Sequence, residues 1–277
     1  MIIVGQEKRT NPLSTASLYS TNRFADNNAN NMHQDFSSID DGGDAWSDAH
    51  SNFLSSLSPE EIQDLLTCSR RLNLKSRDQL FRAGDSANDV YIVANGCIRL
   101  FQVSSTGKET ILWFSFPGEI FGMAELWRGN DRQICAGANE ATQVYSICRS
   151  DFTHFLGKHP EAAMKAIGIL SARVRALGHV LVGLTSDKVE TRIARLLMRF
   201  AAVSSGTRCC SHSNEGEMCV NVRLTHQDIA NLIGASRQTV TSTLTYLRKR
   251  GAIRKVNQHI HIIQPNQLRS LLALSTA

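Results

Sequence analysis

The sequence predicts an α+β protein in which an antiparallel β-roll, one long helix and a small helix-rich domain follow one another along the chain. Two observations predict this order. Short apolar runs separated by glycines fill residues 71–150, whereas apolar residues recur at steps of three and four from residue 160 onward. With 277 residues and a hydrophobic content of 42%, the chain is long enough to form more than one core.

Four segments follow from changes in composition and periodicity. The first, residues 1–50, is rich in Asn, Ser and Asp and has no periodicity, so we predict a disordered N-terminal extension. The first helix is expected to begin at Ser58, which can form a capping box with Glu61 around Pro59. The remaining segments are the β-roll over 51–159, the long helix over 160–186 and the C-terminal domain over 187–277.

The β-roll is predicted from four strand-like runs, "VYIVANG", "CIRLFQV", "TILWFSF" and "TQVYSI". Short strands at regular spacing with glycine turns between them are typical of a compact antiparallel sandwich or roll. The glycines that mark the turns are Gly84, Gly96, Gly107, Gly118 and Gly122.

The long helix carries a narrow apolar seam, whose spacing is that of helices that pack against a like helix. We therefore predict a homodimer through this helix, while a helix lying on its own β-domain would show a similar pattern. The seam residues are Ile167, Leu170, Val174, Leu177, Leu181 and Leu184.

Charge divides the two ends of the chain. Residues 188–277 carry thirteen Lys or Arg against four Asp or Glu, a net charge of +9, whereas residues 1–50 carry three against seven, a net charge of −4. A basic domain favours a polyanionic partner, although a solvated basic face without a partner has the same composition.

Location and class follow from what the sequence lacks. The longest apolar stretches, such as residues 180–184, are far shorter than the roughly 20 residues that a membrane-spanning helix needs, and no secretory signal is present. Seven cysteines do not suggest a disulfide framework, so we expect reduced thiols in a cytoplasmic protein without a membrane partner. Motifs such as a P-loop, GxSxG or HExxH are missing, which disfavours an enzyme.

The segment "LTHQDIANLIGASRQTVTSTLTYLRKRGAI", residues 224–253, predicts a helix-turn-helix. Thr225 can cap a first helix that Gly234 ends, and Ser236 can cap a second helix. The following "IRKVNQHIHIIQP" alternates apolar and polar residues, which predicts the β-hairpin of a winged helix-turn-helix. The predicted buried positions are Ile229, Leu232 and Ile233 in the first helix and Val240, Leu244 and Leu247 in the second.

The polar face of the second helix predicts binding to double-stranded DNA, because such a helix enters the major groove with its N-terminal residues at the bases. An Arg side chain fits guanine O6 and N7, and a Gln side chain fits adenine. The predicted base contacts are Arg237, Gln238 and Ser242. The predicted phosphate contacts are Thr225, His226, Thr239, Arg248, Lys249 and Arg250, with Arg254 and Lys255 just beyond them.

The order of domains, together with "IGASRQTVTSTL" and "PGEIFG", resembles the CRP/FNR superfamily of bacterial transcription regulators over about residues 52 to 265. The resemblance implies a cyclic-nucleotide-binding-like jelly roll for the β-roll, a homodimer, a palindromic DNA site, RNA polymerase as a partner and, most commonly, a role as an activator. It also implies a small effector bound between the β-roll and the long helix. A ligand-gated signalling module that binds no DNA is the alternative, and it would not need an exposed polar recognition helix.

The resemblance disfavours cyclic AMP as the effector. Gly122 and Met123 stand where cyclic-AMP binders have Gly-Glu, so the carboxylate for the ribose is lost. Arg132 and Gln133 stand where those proteins have Arg-Ser, and Leu177 precedes a glycine where they have a polar pair.

The same loop also resembles that of family members that bind 2-oxoglutarate. Arg132 and Arg173 fall at the positions of two arginines that hold carboxylates there, which predicts a small anionic effector. The alternative is that both arginines face water or form structural ion pairs.

Other cofactors of the family find little support. An iron–sulfur cluster would need several cysteines near the N-terminus, but none precedes Cys68, and heme is disfavoured because no His lies between His50 and His154. A group of soft ligands in the loop before the helix-turn-helix could bind a metal or act as a thiol switch, although the spacing favours a plain loop. These residues are Cys209, Cys210, His212 and Cys219.

Overall fold

The computed structural model describes residues 43–126, 131–203, 216–220 and 222–273. In these ranges a β-roll, a long helix and a C-terminal domain follow one another. The helices are α1 Gly43–Ala49, α2 Phe53–Ser56, α3 Pro59–Thr67, α4 Arg149–Lys158, α5 Pro160–Ser186, α6 Val189–Val203, α7 His226–Ile233, α8 Arg237–Lys249 and α9 Pro265–Ala273. The strands are β1 Ser69–Leu74, β2 Gln79–Phe81, β3 Asp89–Asn95, β4 Ile98–Val103, β5 Glu109–Ser115, β6 Ile120–Phe121, β7 Cys135–Ala138, β8 Thr142–Cys148, β9 Met218–Val220, β10 Ile253–Val256 and β11 His259–Ile262.

The β-roll consists of two four-stranded antiparallel sheets, ordered β1-β8-β3-β6 and β2-β7-β4-β5. The four runs predicted as strands form β3, β4, β5 and β8. Strand β3 lies between β8 and β6 and is buried at four consecutive positions. Val90 and Ile92 belong to a core shared with helices, while the ring of Tyr91 stacks on Phe81 of the second sheet. Both faces of the strand are therefore covered.

All five glycines predicted at turns have a positive φ. At Gly96, where φ is 83°, a Cβ atom would lie 2.6 Å from the carbonyl oxygen of Ala141. A side chain is excluded there both by the backbone conformation and by the approach of the neighbouring loop.

The N-terminal boundary of the ordered chain differs from the prediction. Helices α1 and α2 precede the predicted first helix, and Trp46 and Phe53 are buried. The predicted capping box at Ser58 is confirmed and opens α3. Ordered structure thus begins at residue 43, before the expected limit at residue 50, and the rest of the extension lies outside the described residues.

Helix α5 has two apolar faces. One face packs against the β-roll and α1 and is made of small or buried residues, among them Ala166, Ile169 and Ala172. The opposite face exposes large apolar side chains, and by length and composition alone α5 is the one described helix that could also cross a membrane. Leu170 of the predicted seam packs partly against the core. The exposed seam residues are Ile167, Val174, Leu177, Leu181 and Leu184.

The C-terminal domain combines α6 to α9 with a three-stranded sheet ordered β10-β11-β9. The predicted hairpin is confirmed: Asn257 and Gln258 both have positive φ and form its turn. The strand β9 was predicted as loop and is a correction, because Val220 and its neighbours pair with β11. Asn139 of the β-roll donates a hydrogen bond of 3.0 Å to the carbonyl of Arg223, which joins the two domains.

Candidate DNA interface and effector site

The first helix of the helix-turn-helix, α7, is fixed at both ends as predicted. The Thr225 hydroxyl accepts a hydrogen bond from the Asp228 amide, and the Asp228 carboxylate accepts one from the Thr225 amide. Gly234 ends the helix with φ of 65°, in the left-handed region that favours glycine. Ile229 and Ile233 are buried. The corner therefore holds α8 at a fixed angle to α7.

Helix α8 separates a buried face from an exposed face. Val240, Leu244 and Leu247 are buried, as predicted. The Ser236 hydroxyl caps the helix by accepting a hydrogen bond of 3.0 Å from the Thr239 amide. The predicted base contacts and most of the predicted phosphate contacts are exposed: Arg237, Gln238, Thr239, Ser242, Arg248, Lys249 and Arg250.

His226 connects the beginning of α7 to the exposed face of α8. Its Nδ1 atom lies 2.8 Å from the Thr241 hydroxyl. Partial burial lowers the pKa of His226, and so do the nearby charges of Lys255, Arg237 and Arg248. Three cations therefore face one imidazole, which makes this end of the helix pair strongly positive.

The two basic residues of the hairpin differ in their surroundings. Arg254 forms an ion pair of 2.8 Å with Glu217, whose side chain is almost completely buried. Lys255 is exposed on the same strand. Of the two, Lys255 is the better placed to meet a phosphate.

In the β-roll, Arg132 is part of the core. Its side chain is 1% exposed, and Nη1 donates a hydrogen bond of 2.7 Å to the carbonyl of Gly122. The guanidinium also binds the carbonyl of Asp89, lies 3.5 Å from the Glu125 carboxylate and covers the ring of Phe81 at 4.4 Å. These contacts are those of a structural ion pair.

The remaining predicted effector residues do not converge on one cavity. Met123 is buried in the core, Gln133 is exposed, and Leu177 is 42% exposed on the outer face of α5. Gly122, with φ of 80°, lies against Arg132, whose Nη1 would be 3.2 Å from an added Cβ.

Arg173 has a separate set of partners. Its Nη2 lies 3.4 Å from Glu119 Oε2, and its Nε donates a hydrogen bond of 3.3 Å to the carbonyl of Ala49. The guanidinium also covers the ring of Trp113 at 5.4 Å. Burial lowers the pKa of Arg173, while the Glu119 carboxylate acts in the opposite direction. Arg173 thus ties α5 to both the β-roll and α1.

Sequence reasoning missed the partners that α1 brings to this place. His50 lies 2.7 Å from Glu119 and stacks on Trp113 with a centroid distance of 4.2 Å. Trp46 lies 4.9 Å from Trp113 and 5.9 Å from Phe200 of α6. The one signal in the sequence is Trp46 itself, a large apolar residue within a polar segment.

The cysteines fall into two groups. Cys68, Cys97, Cys135 and Cys148 are free, and burial raises the pKa of Cys97 well above its usual range. Cys219 is disulfide-bonded, so the expectation of reduced thiols is wrong for this residue. Its Sγ also lies 3.8 Å from Nε2 of the buried His261. The other candidate metal ligands, Cys209, Cys210 and His212, lie outside the described residues.

Comparison with known proteins supports both parts of the chain. Residues 71–159 match the model of a cyclic nucleotide-binding domain, and residues 191–271 match that of a Crp-like helix-turn-helix domain. The chain is 28% identical to the cyclic AMP receptor protein of Thermus thermophilus, over 72% of this chain and 86% of that protein. It is 30% identical to the nitrogen fixation regulation protein FixK of Azorhizobium caulinodans, over 63% of this chain and 67% of that protein. The structure of CooA from Carboxydothermus hydrogenoformans superposes with a TM-score of 0.65 at 21% identity, over 80% of this chain and 96% of that one, which shows a common fold.

An effector-type β-roll joined by a long helix to a helix-turn-helix with an exposed recognition helix defines a DNA-binding transcription regulator. The chain belongs to the CRP/FNR superfamily of such regulators. Its curated relatives are regulators rather than enzymes.

Proposed function

We propose that this protein is a homodimeric activator of transcription that binds a palindromic DNA site in the bacterial cytoplasm. The observation that carries the proposal is the exposed face of α8, where Arg237 and Gln238 stand at the N-terminal end and Arg248, Lys249 and Arg250 at the other. A helix with this division can contact base edges at one end and phosphates at the other.

The apolar face of α5 supports a homodimer. Val174 is 71% exposed and Leu181 is 64% exposed. A contiguous apolar stripe of this kind on a soluble chain favours an interface, and the spacing is that of two helices packed together. Two copies would then present two recognition helices to successive major grooves.

The experiment is a selection of bound sequences from random DNA duplexes with the purified protein, followed by transcription with RNA polymerase on a promoter that carries the selected site. We expect a palindrome with half-site centres about 34–36 Å apart, roughly one turn of DNA. We also expect more transcript in the presence of the protein. A selected pool without a common sequence would contradict the proposal, and a reduced transcript level would make the protein a repressor.

A small effector in the β-roll is the third part of the proposal. The sequence predicts an anion between Arg132 and Arg173. The contacts of Arg132 favour a structural role for it, because three backbone or carboxylate oxygens already surround its guanidinium. Arg173 is the better candidate, since it lies where α1, β5 and α5 meet.

A thiol-responsive regulator is the second candidate, and the disulfide at Cys219 favours it. The residue lies in β9, which pairs with the hairpin strand β11 at His261. DNA affinity measured with and without a dithiol reductant tests this role. A change that is lost in Cys219→Ser would support it, whereas equal affinities in both conditions would exclude it.

A further inference from the structure

Helix α1 and His50 fill a recess between three parts of the molecule. The floor of the recess is Trp113 of β5, one side is Glu119 just before β6, and the other side is Arg173 of α5. All three residues are largely buried beneath α1. The occupant of this recess is thus a segment of the same chain.

The ring of His50 occupies the recess in the way that a small ligand would. It is nearly parallel to the Trp113 ring, with an interplanar angle of 17°, and the centroids are 4.2 Å apart. Its Nδ1–H donates to the Glu119 carboxylate at 2.7 Å. Stacking on an aromatic face combined with one directed hydrogen bond is a common way to recognise a planar heterocycle.

The docking of α1 leaves several buried donors without a partner. Nε2 of His50, Nε1 of Trp46 and Nε1 of Trp113 are buried and have no hydrogen-bond partner among the described residues. The Ser115 hydroxyl beside them is in the same situation. Unpartnered buried donors weaken the docking of the segment that carries them and mark a place where acceptors of another molecule would be favourable.

We infer that the recess formed by Trp113, Glu119 and Arg173 is a binding site for a planar nitrogen heterocycle, and that His50 is its intrachain occupant. The inference rests on the proposed regulatory function, since it gives the ligand class of the effector site. Trp113 supplies the stacking face, Glu119 accepts a ring N–H, and Arg173 donates to a ring nitrogen or an acidic substituent. An aliphatic dianion fits less well, because it has no ring for Trp113 and would meet the Glu119 carboxylate.

Displacement of His50 would reach the DNA-binding domain through Trp46. The Trp46 ring contacts Phe200 of α6, and Arg199 of the same helix covers it at 5.1 Å. Phe200 also packs against Phe114 of β5 with a centroid distance of 5.6 Å. A ligand that exchanges with His50 therefore removes one of two aromatic contacts that hold α6 against the β-roll.

The first test uses His50→Ala, which vacates the ring position and leaves the recess intact. Imidazole is titrated by calorimetry, with thiophene as a planar ring of similar size that has no N–H. We expect imidazole to bind about tenfold more tightly than thiophene, which corresponds to one good hydrogen bond. His154→Ala, which removes an exposed histidine of α4, is the matched control and should bind imidazole no better than the unaltered chain. Equal binding of the two rings, or no binding of either, overturns the inference.

The second test uses the unaltered full-length chain and does not depend on the folding of a variant. Hydrogen exchange of the backbone amides is measured with and without saturating imidazole. We expect faster exchange over residues 43–50 because α1 is displaced, and unchanged exchange in the strands of the β-roll. Unchanged exchange over residues 43–50 overturns the inference. Neither test contains DNA, so a failure here is distinct from a failure of the selection experiment above.

Discussion

The Nδ1 atom of His226 lies 2.8 Å from the hydroxyl of Thr241, and this contact joins the first turn of α7 to the exposed face of the recognition helix. Partial burial and the cations Lys255, Arg237 and Arg248 lower the pKa of His226. In the free protein the imidazole is therefore mostly neutral at pH 7. A DNA phosphate bound among these cations would reverse the sign of the local field.

DNA affinity should rise as the pH falls, and His226 should be responsible. Phosphate favours the imidazolium, so the pKa of His226 is higher in the complex than in the free protein, and binding takes up a proton between the two values. A difference of one unit strengthens binding by about 1.4 kcal/mol per protomer at low pH. Dissociation constants measured between about pH 8 and about pH 5.5 at fixed ionic strength check this. His226→Gln should flatten the profile, whereas the control His154→Gln should leave it unchanged; a steep profile in His226→Gln would contradict the assignment.

Replacing Val174 and Leu181 together by Asp should give monomers. Both side chains are more than 60% exposed in the single chain, so the change does little to its own core. In a dimer the four carboxylates would lie in an apolar interface without partners. Sedimentation equilibrium gives the molecular mass, and DNA affinity should fall with it. Val103→Asp, at an exposed apolar position of β4, is the control and should remain dimeric.

Much of the fold could be predicted because it is encoded by local patterns. The strands β3 to β5, the apolar stripe of α5 and the caps at Ser58, Thr225 and Ser236 follow from periodicity and capping chemistry within a few residues. The two missed elements depend on distant partners. Helix α1 is polar apart from Trp46, and β9 spans three residues that pair only with β11. Such segments are stabilised by tertiary contacts that no local window contains.

The candidate effector site could be predicted only in part for the same reason. The spacing of Arg132 and Arg173 places two guanidiniums in the β-roll and on α5, but it does not reveal which carboxylates accompany them. Glu125 binds one and Glu119 the other, at distances of 3.5 Å and 3.4 Å. The two arginines therefore have separate surroundings, which only the folded chain determines.

Arg132→Met should lower the free energy of unfolding. The side chain is buried, and its removal leaves the Glu125 carboxylate and the carbonyls of Gly122 and Asp89 without their donor. Loss of one partner of a buried pair typically costs about 3–5 kcal/mol. Urea denaturation followed by circular dichroism measures the change. Arg70→Met, whose side chain is 73% exposed, should change the stability by less than about 1 kcal/mol, and equal stabilities of the two variants would contradict a structural role for Arg132.

Arg237 and Lys249 should affect DNA binding in different ways, because they lie at opposite ends of α8. Arg237, at the end that enters the groove, can span guanine O6 and N7, so Arg237→Ala should cost about 1–3 kcal/mol per half-site and relax the preference at one guanine. Gln238 is the second candidate for a base contact, and Ser242, one turn further along, is a weaker one.

Lys249 is expected to contact a phosphate. Lys249→Ala should therefore weaken specific and non-specific binding alike and reduce the dependence on salt, because a phosphate contact acts through the release of counterions and carries no base information. The measurement is the selection from random duplexes, repeated for each variant at two salt concentrations. If Lys249→Ala altered the selected sequence while Arg237→Ala left it unchanged, α8 would lie in the groove in the opposite direction to the one that its exposed face indicates.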